Sequence, residues 1–170
     1  MKHLLFVVTM MLSLGSFAQT KIGHVNSQKL LDTLPSRKDA LKKLDDFKME
    51  GMKELQEMQK AFEVAYAKFM EKEKDMSPVL RQMEEDKLRK KQQDIETRQS
   101  ELEQQMQVYN EELNKPILDR IQKSVEIIAE RKKLNYIMDE SVTLYFKGGI
   151  DCTPEVMVEL LKLDAESMKK

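Results

Sequence analysis

The residues best equipped for chemistry lie in "KGGIDCTPEVMVELLK", Lys147 to Lys162. This stretch holds the only cysteine of the chain, Cys152, beside Asp151 and just after Gly148 and Gly149. A cysteine next to an acid is compatible with a thiolate nucleophile. That chemistry needs a depressed thiol pKa and a partner base, and no base stands nearby in sequence. Beyond the first residues the only histidine is His24. One histidine and one cysteine fall short of a catalytic triad or a histidine-based zinc site. The glycine pair lacks the spacing of a phosphate-cradling loop. His24 reads as a packing or interface residue. The expectation is a protein that is not an enzyme and carries no cofactor or metal.

The same stretch has a simpler structural reading. Gly148 and Gly149 let the chain turn. Thr153 suits an N-cap, Pro154 a first helical position, and Glu155 the positive end of a helix. Val156, Leu160, Leu161 and Leu163 then give that helix an apolar face. On this reading Cys152 is a small buried hydrophobe.

The elements that surround it begin with "MKHLLFVVTMMLSLGSFAQ". One lysine, an apolar run from Leu4 to Leu14, and Ser16 and Ala18 at the −3 and −1 positions before Gln19 predict a cleaved signal peptide over residues 1–18. The run is too short to span a bilayer, which takes about 20 apolar residues. Without Lys2, 28 Lys+Arg stand against 30 Asp+Glu, so the mature charge is −2. That balance argues against a nucleic-acid partner, which would need a basic patch. One cysteine makes no internal disulfide, so stability has to come from helix packing and assembly.

"KIGHVN", Lys21 to Asn26, predicts a short strand, and "NSQKLLDTLP" a helical turn ended by Pro35. From Ser36 the apolar residues fall on a seven-residue row: Leu41, Leu55, Phe62, Phe69 and Met76, with Lys48 a weak point. A second row holds Leu44, Met58 and Ala65, with Gly51 its weak point. Such spacing is a coiled-coil seam. Ser77-Pro78 breaks it, and a second long helix runs to about Lys133 with Leu88, Ile95, Leu102 and Tyr109 in a row. Folding back about Ser77 sets Leu41 opposite Leu113, Met52 opposite Leu102, and Tyr66 opposite Leu88. The match favours an antiparallel hairpin. Pro116 is expected to bend the second helix. "LNYIMDESVTLYF" predicts two strands about a "DES" turn, and the last helix starts near Pro154.

The expected fold is mostly α with a small β body. Residues 19–35 and 117–170 would form an α/β body, and residues 36–116 a long helical hairpin inserted in it. Ten methionines follow the signal segment, and seven of them lie in the hairpin. Met58, Met76 and Met106 read as seam filler. Met49, Met70 and Met83 lie off the seam, and flexible methionines suit surfaces that accept many partners.

Four stretches in this order resemble the Skp (OmpH) family of periplasmic outer-membrane-protein chaperones. They are "KIGHVNSQKLLDTLP", "NKPILDRI", "LNYIMDESVTLYF" and "DCTPEVMVEL". The resemblance spans essentially the whole mature chain. It implies an exported homotrimer whose strands form a central body, with three hairpins around a cavity that holds unfolded outer-membrane β-barrel proteins without ATP. Ile22, Val25, Ile137, Leu144 and Phe146 are then the expected trimer interface. Met49, Met52, Tyr66, Met70 and Met83 are the expected client-facing residues. The best-known family members are strongly basic and this chain is near neutral, so a membrane-surface or lipopolysaccharide contact is not carried over. An exported coiled-coil adaptor bridging envelope components is the rival reading.

Overall fold

The computed structural model of the chain describes residues 20–169. The expected signal peptide lies outside them. The described residues run β1 (Ile22–Val25), α1 (Ser27–Thr33), α2 (Pro35–Lys72), a 3-10 turn (Glu73–Asp75), α3 (Pro78–Lys132), β2 (Tyr136–Asp139), a second 3-10 turn (Glu140–Val142), β3 (Ile150–Asp151) and α4 (Thr153–Ser167). Mostly α with one small sheet is therefore the observed class. The chain divides into two compact units. Residues 20–35 and 117–169 form one, and Ser36–Pro116 the other.

In the first unit β1 is the central strand of the order β2-β1-β3. It pairs in parallel with both neighbours, His24 standing opposite Met138 on one side and Asp151 on the other. The hairpin expected from "LNYIMDESVTLYF" does not form. Its first half is β2. Its second half, Leu144–Phe146, is not in a strand. β2 pairs in parallel with β1 instead, and the chain leaves it through the turn at Glu140–Val142.

The unit closes on one face of the sheet. Gly23 and Val25 point toward the helices, while Ile22 and His24 face away. Gly23 is required there: a Cβ would stand 2.9 Å from both Cys152 Sγ and Leu134 Cδ1. Leu30 and Leu34, Val156 and Leu160 of α4, and Cys152 are completely buried. Burying each large aliphatic side chain is worth about 1.5–3 kcal/mol. Three ion pairs tie α4 to α3: Arg120 to the buried Asp164 at 3.1 Å, Arg131 to Glu159 at 2.8 Å, and Lys132 to Glu155 at 2.5 Å.

Caps set the element ends. The Asn26 side chain accepts from Lys29 N–H at 2.9 Å, starting α1. Helix α4 begins at Thr153, one residue earlier than expected, so Thr153 is not the cap. Asp151 takes that part, its Oδ1 accepting from Thr153 N–H at 2.8 Å. Thr153 Oγ1 instead accepts from Asn26 N–H at 3.0 Å, which pins the start of α1 to the start of α4. At its other end α3 closes with Lys133 at φ 53°. Lys133 N–H bonds Glu130 O, and Leu134 N–H bonds Ala129 O. This is the Schellman pattern, usually made with glycine.

The second unit is an antiparallel helix pair. Ser77 caps α3, its Oγ accepting from Leu80 N–H at 3.3 Å. Leu102 packs on Gly51, Arg98 pairs with Glu54 at 2.9 Å, and the rings of Phe47 and Tyr109 lie 5.2 Å apart. Leu102 therefore faces Gly51 rather than Met52. The glycine that looked like a gap in the seam is the place that receives the Leu102 side chain. Leu41, Met52 and Tyr66 are exposed instead of paired across it.

Candidate functional site

Cys152 is not a reactive thiol. It is fully buried, its Sγ donates to Ile150 O at 3.4 Å, and burial pushes the thiol pKa up despite the nearby Lys132. A nucleophilic cysteine needs the opposite setting. Its neighbour Asp151 is held below the usual carboxylate range by the hydrogen bonds from Thr153.

The hairpin unit offers a different kind of site. Very little of it is buried: Ala40, Gly51 and Phe69 on α2, and Leu102 on α3. The reason lies in composition. Between Glu84 and Glu101 only Leu88 and Ile95 are apolar, so α3 has no stripe wide enough to be covered on all sides. The five residues expected to face a client, Met49, Met52, Tyr66, Met70 and Met83, are each between 48% and 65% exposed. The structure brings two of them together. Met49 and Met52 line an open groove of about 1090 Å³ with Leu55 and Ile95. Tyr66 lies beside Phe62, ring centroids 6.1 Å apart. Met70 and Met83 do not line that groove.

Three glutamines, Gln56, Gln59 and Gln99, also line the groove, and sequence reasoning missed them. Their amides could hydrogen-bond an extended backbone. No spacing rule singles them out among the many polar residues of a solvated helix.

The body unit has its own exposed apolar surface. Leu144 is fully exposed, and Ile22 and Phe146 are nearly half exposed. Ile137 is half-buried. Val25 departs from the expected interface set: at 5% exposure it is spent in its own chain's core. On the face of the sheet away from the helices, His24 Nδ1 meets Glu140 Oε1 at 2.7 Å, and Asn26 Nδ2 donates to Glu140 Oε2 at 2.8 Å. The Phe146 ring covers His24, with centroids 4.7 Å apart. His24, Glu140 and Asp151 bring metal-capable donor atoms within 4.8 Å of one another. Sequence gave no sign of the His24–Glu140 pair, whose members are 116 positions apart.

The family model for outer membrane protein (OmpH-like) matches residues 21–160. This chain belongs to the OmpH-like family. A Skp-like protein of Chlamydia pneumoniae is 30% identical over 179 residues, covering 100% of this chain and 99% of that protein. The chaperone protein Skp of Photorhabdus laumondii is 24% identical over 155 residues, 91% of this chain and 94% of its own. A crystal structure of an OmpH-like outer membrane chaperone from Caulobacter crescentus superposes with a TM-score of 0.74. It covers 86% of both chains at 11% identity, so that likeness speaks for the OmpH-like fold alone. Skp-like chaperones are thus the class to which the sequence relatives point. Among the described residues no helix is long and apolar enough to cross a membrane.

Proposed function

We propose that the chain is an exported, ATP-independent holdase that keeps unfolded outer-membrane β-barrel proteins from aggregating in the periplasm. The observation that carries this reading is the hairpin's groove, where Met49, Met52, Leu55 and Ile95 stay open to solvent beside polar amides. Flexible thioethers and shallow apolar contacts suit many sequences at once and let each of them leave. Near-neutral charge, −1 for the whole chain, makes capture depend on apolar contact more than on salt.

The working form is a homotrimer. Three parallel strands with open outer edges, and an exposed run at Leu144–Phe146, are a small sheet with unpaired edges. Such edges are covered in stable proteins. Ile22, Ile137, Leu144 and Phe146 are the residues available for it.

The test is light scattering of an unfolded outer-membrane β-barrel protein diluted from urea, with and without the mature chain. Suppression at a few-fold excess of trimer is expected. Unchanged aggregation, or a pull-down dominated by one folded partner, would replace the holdase with a coiled-coil adaptor.

A further inference from the structure

Three strands deliver one donor group each to the same end of the sheet. His24 is on β1, Asp151 on β3 directly opposite it in register, and Glu140 follows β2 in the turn. The strands are parallel, so residues in register share a face, and His24 faces away from the helices. Ligands gather in this way at the carboxyl ends of parallel strands.

We propose that His24, Glu140 and Asp151 form a binding site for one divalent transition-metal ion of the zinc class. The donor set is one imidazole nitrogen and two carboxylates, which suits zinc-type ions better than magnesium. The absence of further histidines excludes a histidine-only site, not a mixed one. All three donor atoms lie within 4.8 Å of one another. Donors about 2.1 Å from a tetrahedral ion stand roughly 3.4 Å apart. His24 Nδ1 and Glu140 Oε1 share a hydrogen bond at 2.7 Å, so an entering ion would displace that proton to solvent and spread the pair to ligand spacing. The Glu140 and Asn26 contact holds one wall of the site in place. Asp151 gives Oδ1 to Thr153 N–H and keeps a second oxygen for the ion.

Charge is the independent argument. Two carboxylates are drawn together here, and no lysine or arginine forms an ion pair with Glu140 or Asp151 among the described residues. Lys29 acts on Asp151 only through space. The cluster brings together two carboxylates, whose charge a divalent ion balances. Bound, the ion would tie β1 to the ends of both flanking strands, and its binding energy would add to the stability of the body.

The experiment is calorimetric titration of the mature chain with Zn²⁺ in a magnesium-containing buffer, which occupies weak surface carboxylates. Thermal unfolding is followed in parallel. Asp151→Asn keeps the acceptor for Thr153 N–H while removing the charge, so it should leave the fold intact; His24→Ala removes the nitrogen. The expected result is one Zn²⁺ per chain, a raised unfolding midpoint, and affinity reduced about tenfold or more in either folded variant. A chain that does not saturate at one ion, or a folded variant that binds as tightly as the parent, overturns the site. Should His24→Ala not fold, Asp151→Asn alone decides.

Discussion

Leu102 of α3 rests directly on Gly51 of α2, and a methyl group added at Gly51 would overlap both terminal methyls of that leucine. The contact makes a sign-reversing prediction. Gly51→Ala gains about 1 kcal/mol of helix propensity but overpacks the seam at a cost of about 1–3 kcal/mol. The single variant should therefore lose stability. In a Leu102→Ala background the steric cost is gone, and the same change should stabilise by about 1 kcal/mol. Urea unfolding of the four proteins of this cycle reads the coupling directly. Stabilisation of equal size in both backgrounds would contradict the packing described here.

Met49 and Met52 can be changed with little structural penalty because their side chains are exposed. Replacing both with glutamine should shift the unfolding free energy by no more than about 0.5 kcal/mol each. Suppression of client aggregation should weaken clearly. A variant that suppresses aggregation as well as the parent would remove the groove from the client-binding surface.

Acid should weaken the body unit. For Asp139, burial works to raise the pKa, but hydrogen bonds from Ser27 and Ser141 outweigh it and hold the carboxyl low. Asp151 is held low by hydrogen bonds from Thr153. A carboxylate whose pKa is lower folded than unfolded adds stability above its unfolded pKa, about 4. It gives that stability up as pH falls through the folded value. Stability should hold from neutral pH to about 5 and then drop below about 4. Asp139→Asn should flatten part of that drop. A parent protein with the same urea midpoint at pH 3 and pH 6 would contradict the caps.

Lys133 closes α3 in the left-handed region, φ 53°, where a side chain costs about 1 kcal/mol. Lys133→Gly should therefore raise stability by up to about 1 kcal/mol. Its side chain is exposed, so no packing is lost. Thermal unfolding of the isolated variant checks this. A lower midpoint would show that the gain is outweighed by the added freedom of the unfolded chain.

The helices were legible because period and punctuation are local. Pro78 starts α3, and apolar residues at three- and four-residue spacing mark the seam. Cys152 was also legible as a buried residue, because the turn and helix start account for its neighbours and no base stands nearby in sequence. Contacts between distant residues were not legible. Gly51 looked like a defect until Leu102 lay on it. Val25 looked like an interface residue because β-prone runs do not say which face meets its own helices. Leu144–Phe146 looked like a strand because propensity gives no partner, and within one chain it has none. The buried Asp164 and its Arg120 partner likewise meet only after α3 and α4 pack.

The strand order carries a consequence for how the molecule comes into being. β1 is made first, yet both of its neighbours belong to the far end of the chain, and Lys21 N–H reaches Asn135 Oδ1 across 114 positions. The sheet cannot assemble until nearly all of the chain has been synthesised. The helix pair finds its partners within the segment that folds back about Ser77, such as Glu54 with Arg98, and can form before the last strand is made. Long closure is slow to find but costs only logarithmically in loop length. A preformed hairpin shortens the search further by carrying the two ends back toward each other. The segment that would later grip unfolded chains would thus first act on its own polypeptide, as the strut that lets β1 find β2 and β3.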